Sequence, residues 1–240
     1  MESSAGESPA VLIEEKGPEL IVLAALAFFL VGFSQAFLRG ALEDPLARYV
    51  PFAVQGTVGL LMLLAASRLG AGRADILGLG RPLRGVLRGV LAYLAAVLPI
   101  MGLQYLYVTQ ILPPELRDEV QPTLERLKES SSILEVAATG VLVATVVPFF
   151  EETLFRGFLL NGLLGLFRRV LSARGATWLA VLSQAALFAV IHPLFTWLVV
   201  FLIGLLVGML YVRTRNLWAV MAFHACHNAW TIIYFRFWSS

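Results

Sequence analysis

The sequence predicts an all-α protein, a polytopic transmembrane helical bundle of about seven spans. Three observations carry that expectation. The 240 residues are 59% hydrophobic and only 14% charged, against about 25% charged in an average soluble domain. Mean hydropathy is +0.81. The apolar residues also fall in runs of about 20, the length an α-helix needs to cross the hydrocarbon core of a bilayer.

Residues 1–18 are acidic, with Glu2, Glu7, Glu14 and Glu15 beside the single Lys16. They read as a disordered tail and lack the positive start of a secretory signal. The first span is expected at Glu19–Leu38, with Pro18 suited to a helix start. The second runs from Val50 to Leu69, and the third from Gly85 to Leu112, where Pro99 predicts a kink. Residues 113–132 are the longest polar connection. There Leu116, Val120, Leu124 and Leu127 form a helical apolar stripe beside Arg117, Arg126 and Lys128, read as a helix on the membrane surface. Residues 19–131 thus make an N-terminal membrane unit.

The second unit, residues 132–238, begins with the apolar run Ile133–Phe167. Spans at Ala176–His192, Leu194–Val212 and Leu217–Trp238 follow. Gly204 and Gly208 form a GxxxG pattern, which permits close helix approach and is read as internal packing. Gly85 and Gly89 share that spacing but lie at a helix end, where the pattern carries less weight.

The arginines decide whether Ile133–Phe167 is one helix or two. With one helix and the N-terminus inside, the inner side holds Lys16, Arg68, Arg73, Arg81, Arg84, Arg88, Arg168, Arg169, Arg174, Arg213 and Arg215. The outer side holds Arg39, Arg48, Arg117, Arg126, Lys128 and Arg236. That bias follows the positive-inside rule, and splitting the run destroys it. A multi-pass integral membrane protein is expected, in the cytoplasmic membrane if the source is bacterial. A net charge of +2 and scattered arginines give no footprint for nucleic acid. The lone Cys226 excludes an internal disulfide and a cysteine-based metal site.

Chemistry concentrates in a few polar residues. Glu151, Glu152 and Arg156 interrupt the long run, whose only other charge is Glu135. Ionisable groups at membrane depth are costly and mark functional sites by default. Glu152 and Arg156, four apart, share a helical face and can pair. Glu151 points about 100° away, which suggests Glu151 for chemistry and Glu152 with Arg156 for support. The three histidines, His192, His224 and His227, all lie in the last three spans, and Asn228 shares a face with His224. A glutamate with two histidines is a ligand set that suits catalytic zinc. Without metal, a desolvated glutamate can act as general base on water, with Asn228 and a histidine as oxyanion donors. Both routes lead to hydrolysis of an acyl bond and both stay open. No HExxH, GxSxG or Walker pattern is present, and Ser183 reads as packing.

Glu151-Glu152-x-x-x-Arg156, Phe188-x-x-x-His192 and His224-x-x-x-Asn228 resemble the three ordered motifs of the type II CAAX prenyl proteases. Their bacterial relatives are the CPBP or Abi intramembrane proteases. The resemblance covers about Ser132 to Tyr234. It implies a membrane endopeptidase acting on peptide or membrane-protein substrates, prenylated in the eukaryotic branch. By the same resemblance Glu151 is the water-activating base, and Glu152 and Arg156 support it. His192 holds the water or a metal, and His224 and Asn228 stabilise the oxyanion. A divalent metal, if used, would sit on Glu151, His192 and His224; a metal-free mechanism is equally open. His227 lies outside the motifs and is read as a neighbour of the site. Two other readings are a catalytically silent binding or immunity protein, and a transporter using the same residues as a proton or cation relay. One geometric conflict arises. His192 should lie near the outer end of its span, and His224 only about 10 Å from the inner side. A shared site therefore requires Ala176–His192 to be short, tilted or incompletely spanning.

Overall fold

The computed structural model describes residues 16–38, 47–69, 77–117 and 122–237. Among these there are eight helices and no strand. The helices are α1 (Gly17–Leu38), α2 (Val50–Leu69), α3 (Pro82–Leu106), α4 (Pro122–Glu129), α5 (Ile133–Phe167), α6 (Ala173–Val190), α7 (Trp197–Thr214) and α8 (Leu217–Phe237). Six of them, α1, α2, α3, α5, α6 and α7, are long and apolar enough to cross a membrane. α8, 21 residues long, is not among these six but matches a span in length. Its His224, His227 and Asn228 lower its hydropathy, but it runs through the bundle and buries much of its length. Residues 1–15 of the expected tail lie outside the described residues.

Contacts at the two ends of the bundle agree with one long helix and seven spans. At one end, Gly17 lies against Gly162 and Leu166. There Trp218 Nε1 donates to the Leu79 carbonyl at 3.1 Å, and Asn216 Nδ2 donates to the Arg81 carbonyl at 3.2 Å. At the other end, Arg48 pairs with Glu135, and α4 seats Leu124 and Leu127 on Ile232 of α8. The predicted surface helix therefore shortens to Pro122–Glu129 and turns its apolar edge onto the bundle; Val120 lies outside the described residues. Leu116 stands apart in a 3-10 turn.

α5 is 35 residues long, or about 50 Å at 1.5 Å per residue. Pro148 sits inside it and leaves the Ala144 carbonyl without its amide donor. From Thr153 to Leu160 the helix widens to a π-helix, an arrangement that is rare and frequent at functional sites. The consecutive residues from Thr153 to Phe158 are all buried.

The glycine pairs set the closest approaches. A Cβ on Gly204 would lie 3.1 Å from Ala185 Cβ, and one on Gly208 would lie 2.8 Å from Gln184 Nε2. The GxxxG of α7 is thus the contact with α6. Gly85 and Gly89 do more than their place in the sequence suggests. A methyl on Gly85 would overlap Asn216 and Trp218, and one on Gly89 would overlap the Ala219 carbonyl and crowd Ala222. They bring α3 against α8, parallel to it.

The depth conflict resolves at the start of α8. Leu217 is fully buried and Asn216 nearly so, under the segment 77–81 whose carbonyls accept from Asn216 and Trp218. α8 therefore begins inside the protein, deeper than a span that starts at the membrane boundary. α6 has only 18 residues, about 27 Å, near the short end of the range that spans a bilayer. Both changes bring His192 and His224 towards one level.

Gly89→Val should lower stability by about 1–3 kcal/mol or more through overpacking, read as a depressed melting temperature in detergent. Gly102→Ala, on the same helix but with open space around it, should leave the melting temperature within a degree or two. Equal melting of the two variants would contradict the close α3–α8 contact.

Candidate functional site

The site forms where the π-helical stretch of α5 meets α6, α7 and α8. Its centre is Glu152, whose side chain is 1% exposed. One oxygen, Oε1, accepts from Arg156 Nη1 at 2.9 Å and from His224 Nδ1 at 2.7 Å. Arg156 is fully buried. A buried charge must be paired and hydrogen-bonded to be tolerated, and Arg156 gathers its compensation from several sources. Besides Glu152, its Nη2 makes a long 3.5 Å contact to the Gly204 carbonyl. Its guanidinium lies 4.6 Å from the centroid of the Phe188 ring, within cation–π range.

Residues that the motifs do not name hold this pair. Gln184 Nε2 donates to the same Gly204 carbonyl at 3.0 Å, fixing it in front of Arg156. Asn161 Nδ2 donates to the Gly157 carbonyl at 2.8 Å, to the Arg156 carbonyl at 3.3 Å and to Tyr211 Oη at 2.9 Å. It thereby satisfies carbonyls that the widened helix leaves off register. Arg215 Nη1 closes the chain by donating to Asn161 Oδ1 at 3.2 Å. Sequence reading passes over Gln184, Asn161 and Tyr211. The signal available is polarity alone: Gln184 is an amide inside an apolar span.

Glu151 differs from its neighbour. Its side chain keeps 16% exposure, and Oε2 stands 3.8 Å from His224 Nε2, beyond hydrogen-bond length. Oε2 is buried and receives no hydrogen bond. The two nitrogens of His224 therefore face the two adjacent glutamates. Because Glu152 Oε1 is an acceptor already paired with Arg156, His224 Nδ1 carries the hydrogen of that bond. Nε2 is the nitrogen turned towards Glu151.

His192 joins the group through Phe188. Its ring centroid lies 4.7 Å from that of Phe188, and the His224 centroid lies 6.1 Å from it on the same ring. His192 Nδ1 bonds the Phe188 carbonyl at 2.7 Å, and Trp197 Nε1 donates to the His192 carbonyl at 2.8 Å. The end of α6 is thus tied down with Nδ1 engaged. Asn228, one turn beyond His224, donates Nδ2 to the Val143 carbonyl at 2.9 Å, next to the turn interrupted by Pro148. Glu151, Glu152, Arg156 and His224 come directly together, His192 arrives by way of Phe188, and Asn228 clasps α8 to α5.

The expected metal set of Glu151, His192 and His224 is not gathered as ligands. Among the described residues no group of three or more His, Cys, Asp or Glu side chains stands close enough to hold a metal ion.

Arg156→Leu leaves the Glu152 carboxylate buried without its counter-charge, which should cost about 3–5 kcal/mol. Arg156→Lys should recover less than half of that loss, since an ammonium cannot lie flat on Phe188 while reaching Glu152 and Gly204. Thermal or SDS-induced unfolding of the purified variants reads both. Full recovery by lysine would mean that charge alone matters.

Residues 133–230 match the family model for type II CAAX prenyl endopeptidase, Rce1-like. No curated protein and no solved structure matches the chain. The matched segment runs from the first turn of α5 to Trp230 of α8 and holds all three motifs. Over residues 133–230 the chain is therefore similar to the type II CAAX prenyl endopeptidase family.

Proposed function

We propose that this protein is an intramembrane endopeptidase in which Glu151 activates water while Glu152, fixed by Arg156 and His224, holds the site in shape. One observation carries the reading. Both glutamates have a buried Oε2 with no donor upon it, but Glu152 is engaged through Oε1 by a guanidinium and an imidazole, whereas among the described residues neither oxygen of the half-buried Glu151 receives a hydrogen bond. Such an oxygen keeps its lone pairs free to accept a proton from water.

The reaction follows from these positions. Glu151 takes a proton from a water molecule as the water oxygen bonds to the scissile carbonyl carbon, and the carbonyl π electrons move onto oxygen. His224 donates from Nε2 to the resulting oxyanion in its doubly protonated form, with Nδ1–H still on Glu152, and the second N–H of the Asn228 amide donates beside it, with His192 orienting the water. Collapse of the tetrahedral intermediate re-forms the carbonyl and breaks the C–N bond. The proton held by Glu151 passes to the departing amine. Water ends up divided between a new carboxylate and a new amino terminus, and Glu151 is restored.

Peptides and membrane-protein segments, prenylated ones included, are the substrate class that the family suggests. The bilayer is the surrounding medium. The end of the bundle bearing Arg81, Arg84, Arg168, Arg169, Arg174, Arg213 and Arg215 is assigned to the cytoplasmic side by the positive-inside rule, with the N-terminus there too. The metal-free route is favoured by the positions of the side chains, since among the described residues no three His, Cys, Asp or Glu side chains gather closely enough to hold a metal ion.

In a quenched-fluorescence assay with a farnesylated peptide, Glu151→Gln should lower kcat/KM by about 10²–10⁴, the usual contribution of a general base. His192→Ala should also lower it, by about 10². Cleavage at the wild-type rate by both variants would sink the catalytic assignment. Metal analysis of the same active preparation should find well under one equivalent. A full equivalent whose chelation stops cleavage would replace the metal-free route by a metal-assisted one.

A further inference from the structure

Two buried polar atoms beside the site have no place in the chemistry above. Tyr93 belongs to α3, outside the family-matched segment. It is placed by the glycine stripe Gly85, Gly89, Tyr93, at four-residue spacing on one helical face. The two glycines let α3 close upon α8 at residues 216–222. One turn further, the Tyr93 ring meets Phe223 edge-on at a centroid distance of 5.4 Å and His227 at 6.2 Å. Tyr93 is 6% exposed. Its hydroxyl and His227 Nδ1 are both buried, and neither has a hydrogen-bond partner. Each such orphan costs about 1–3 kcal/mol, and native proteins leave few of them without a reason. His227 follows His224 by three residues and so lies beside it on α8.

A hydroxyl donates and accepts, and an imidazole nitrogen does one or the other according to its tautomer. A peptide amide offers one acceptor and one donor, which this pair matches. We infer that Tyr93 Oη and His227 Nδ1 form a second polar subsite that hydrogen-bonds the substrate backbone at the peptide unit next to the scissile one. This rests on the endopeptidase reading of the neighbouring site. It gives the N-terminal unit a part in substrate binding, with Tyr93 as a positioning residue that takes no share in proton transfer.

The test uses full-length protein in detergent and a fluorescent farnesylated peptide with a free C-terminus. Binding is measured on the Glu151→Gln background, so that nothing depends on turnover. Adding Tyr93→Phe, which keeps the ring and loses only the hydroxyl, should weaken Kd about tenfold, the equivalent of one hydrogen bond. His227→Leu should act similarly. A peptide carrying an ester in place of the flanking amide should also bind Glu151→Gln about tenfold more weakly. That ester should bring no further loss once Tyr93→Phe is present. Melting temperatures within a degree or two of the Glu151→Gln parent confirm that the contrast is not a folding defect. Unchanged Kd in Tyr93→Phe would overturn the subsite and leave the two groups to an internal water. So would an ester penalty of equal size with and without the hydroxyl, or no binding at all. Normal binding with no cleavage by the wild type would sink the endopeptidase reading alone, and the Tyr93 contrast would still be read.

Discussion

A single carboxylate oxygen, Glu152 Oε1, holds together the parts of this bundle that matter for chemistry. It receives the guanidinium of Arg156 from its own helix and the imidazole of His224 from α8. Neither the guanidinium nor the carboxylate could remain so deeply buried alone, because the desolvation of an isolated charge far exceeds what packing returns. The three groups must therefore assemble together or not at all. That requirement fixes the rotation of α5 against α8. It also places Phe188 under the guanidinium and turns the second nitrogen of His224 towards Glu151. Glu151 is left without those donors, since they are already committed to Glu152.

The surrounding fold serves this contact through devices of quite different kinds. The π-helical turn after Glu152 buries every residue from Thr153 to Phe158 while Arg156 still reaches back to its partner. Asn161, Tyr211 and Arg215 repair the hydrogen bonding that such widening disturbs. Gly204 and Gly208 let α6 and α7 approach until one backbone carbonyl can serve both Gln184 and Arg156. The segment 77–81 covers the start of α8 and lowers His224 into the bundle. These features lie on both sides of residue 133, so the first three spans do more than anchor the domain that follows.

Much of this is legible in the sequence. Apolar run lengths give the spans, because bilayer thickness and helical rise leave little freedom. The Glu152–Arg156 pairing follows from four-residue spacing, and the arginine bias points to one helix over Ile133–Phe167. What cannot be read is whatever depends on depth or on contact between distant segments. The burial of Leu217 under residues 77–81 is a tertiary effect, and its absence from one-dimensional reasoning produces the apparent mismatch between His192 and His224. Gly85 and Gly89 look minor in the sequence because their meaning lies in Asn216, Trp218 and Ala219, far along the chain on α8. Whether Glu151, His192 and His224 gather as a metal set likewise depends on distances between three separate segments, which the sequence does not give. The spacing already sets Glu152 apart from Glu151, and the geometry adds the bond from His224 to Glu152 Oε1.

The division between the two glutamates can be tested most directly by measuring melting temperature and peptide cleavage together in Glu151→Gln and Glu152→Gln, purified side by side. The expected result is a separation of the two properties. Glu151→Gln should lose cleavage while melting at or above the wild-type temperature, since a neutral amide is easier to bury than an unbonded carboxylate. Glu152→Gln should melt several degrees lower, as Arg156 loses its counter-charge. A Glu151→Gln protein that still cleaves, or that is destabilised as much as Glu152→Gln, would contradict it.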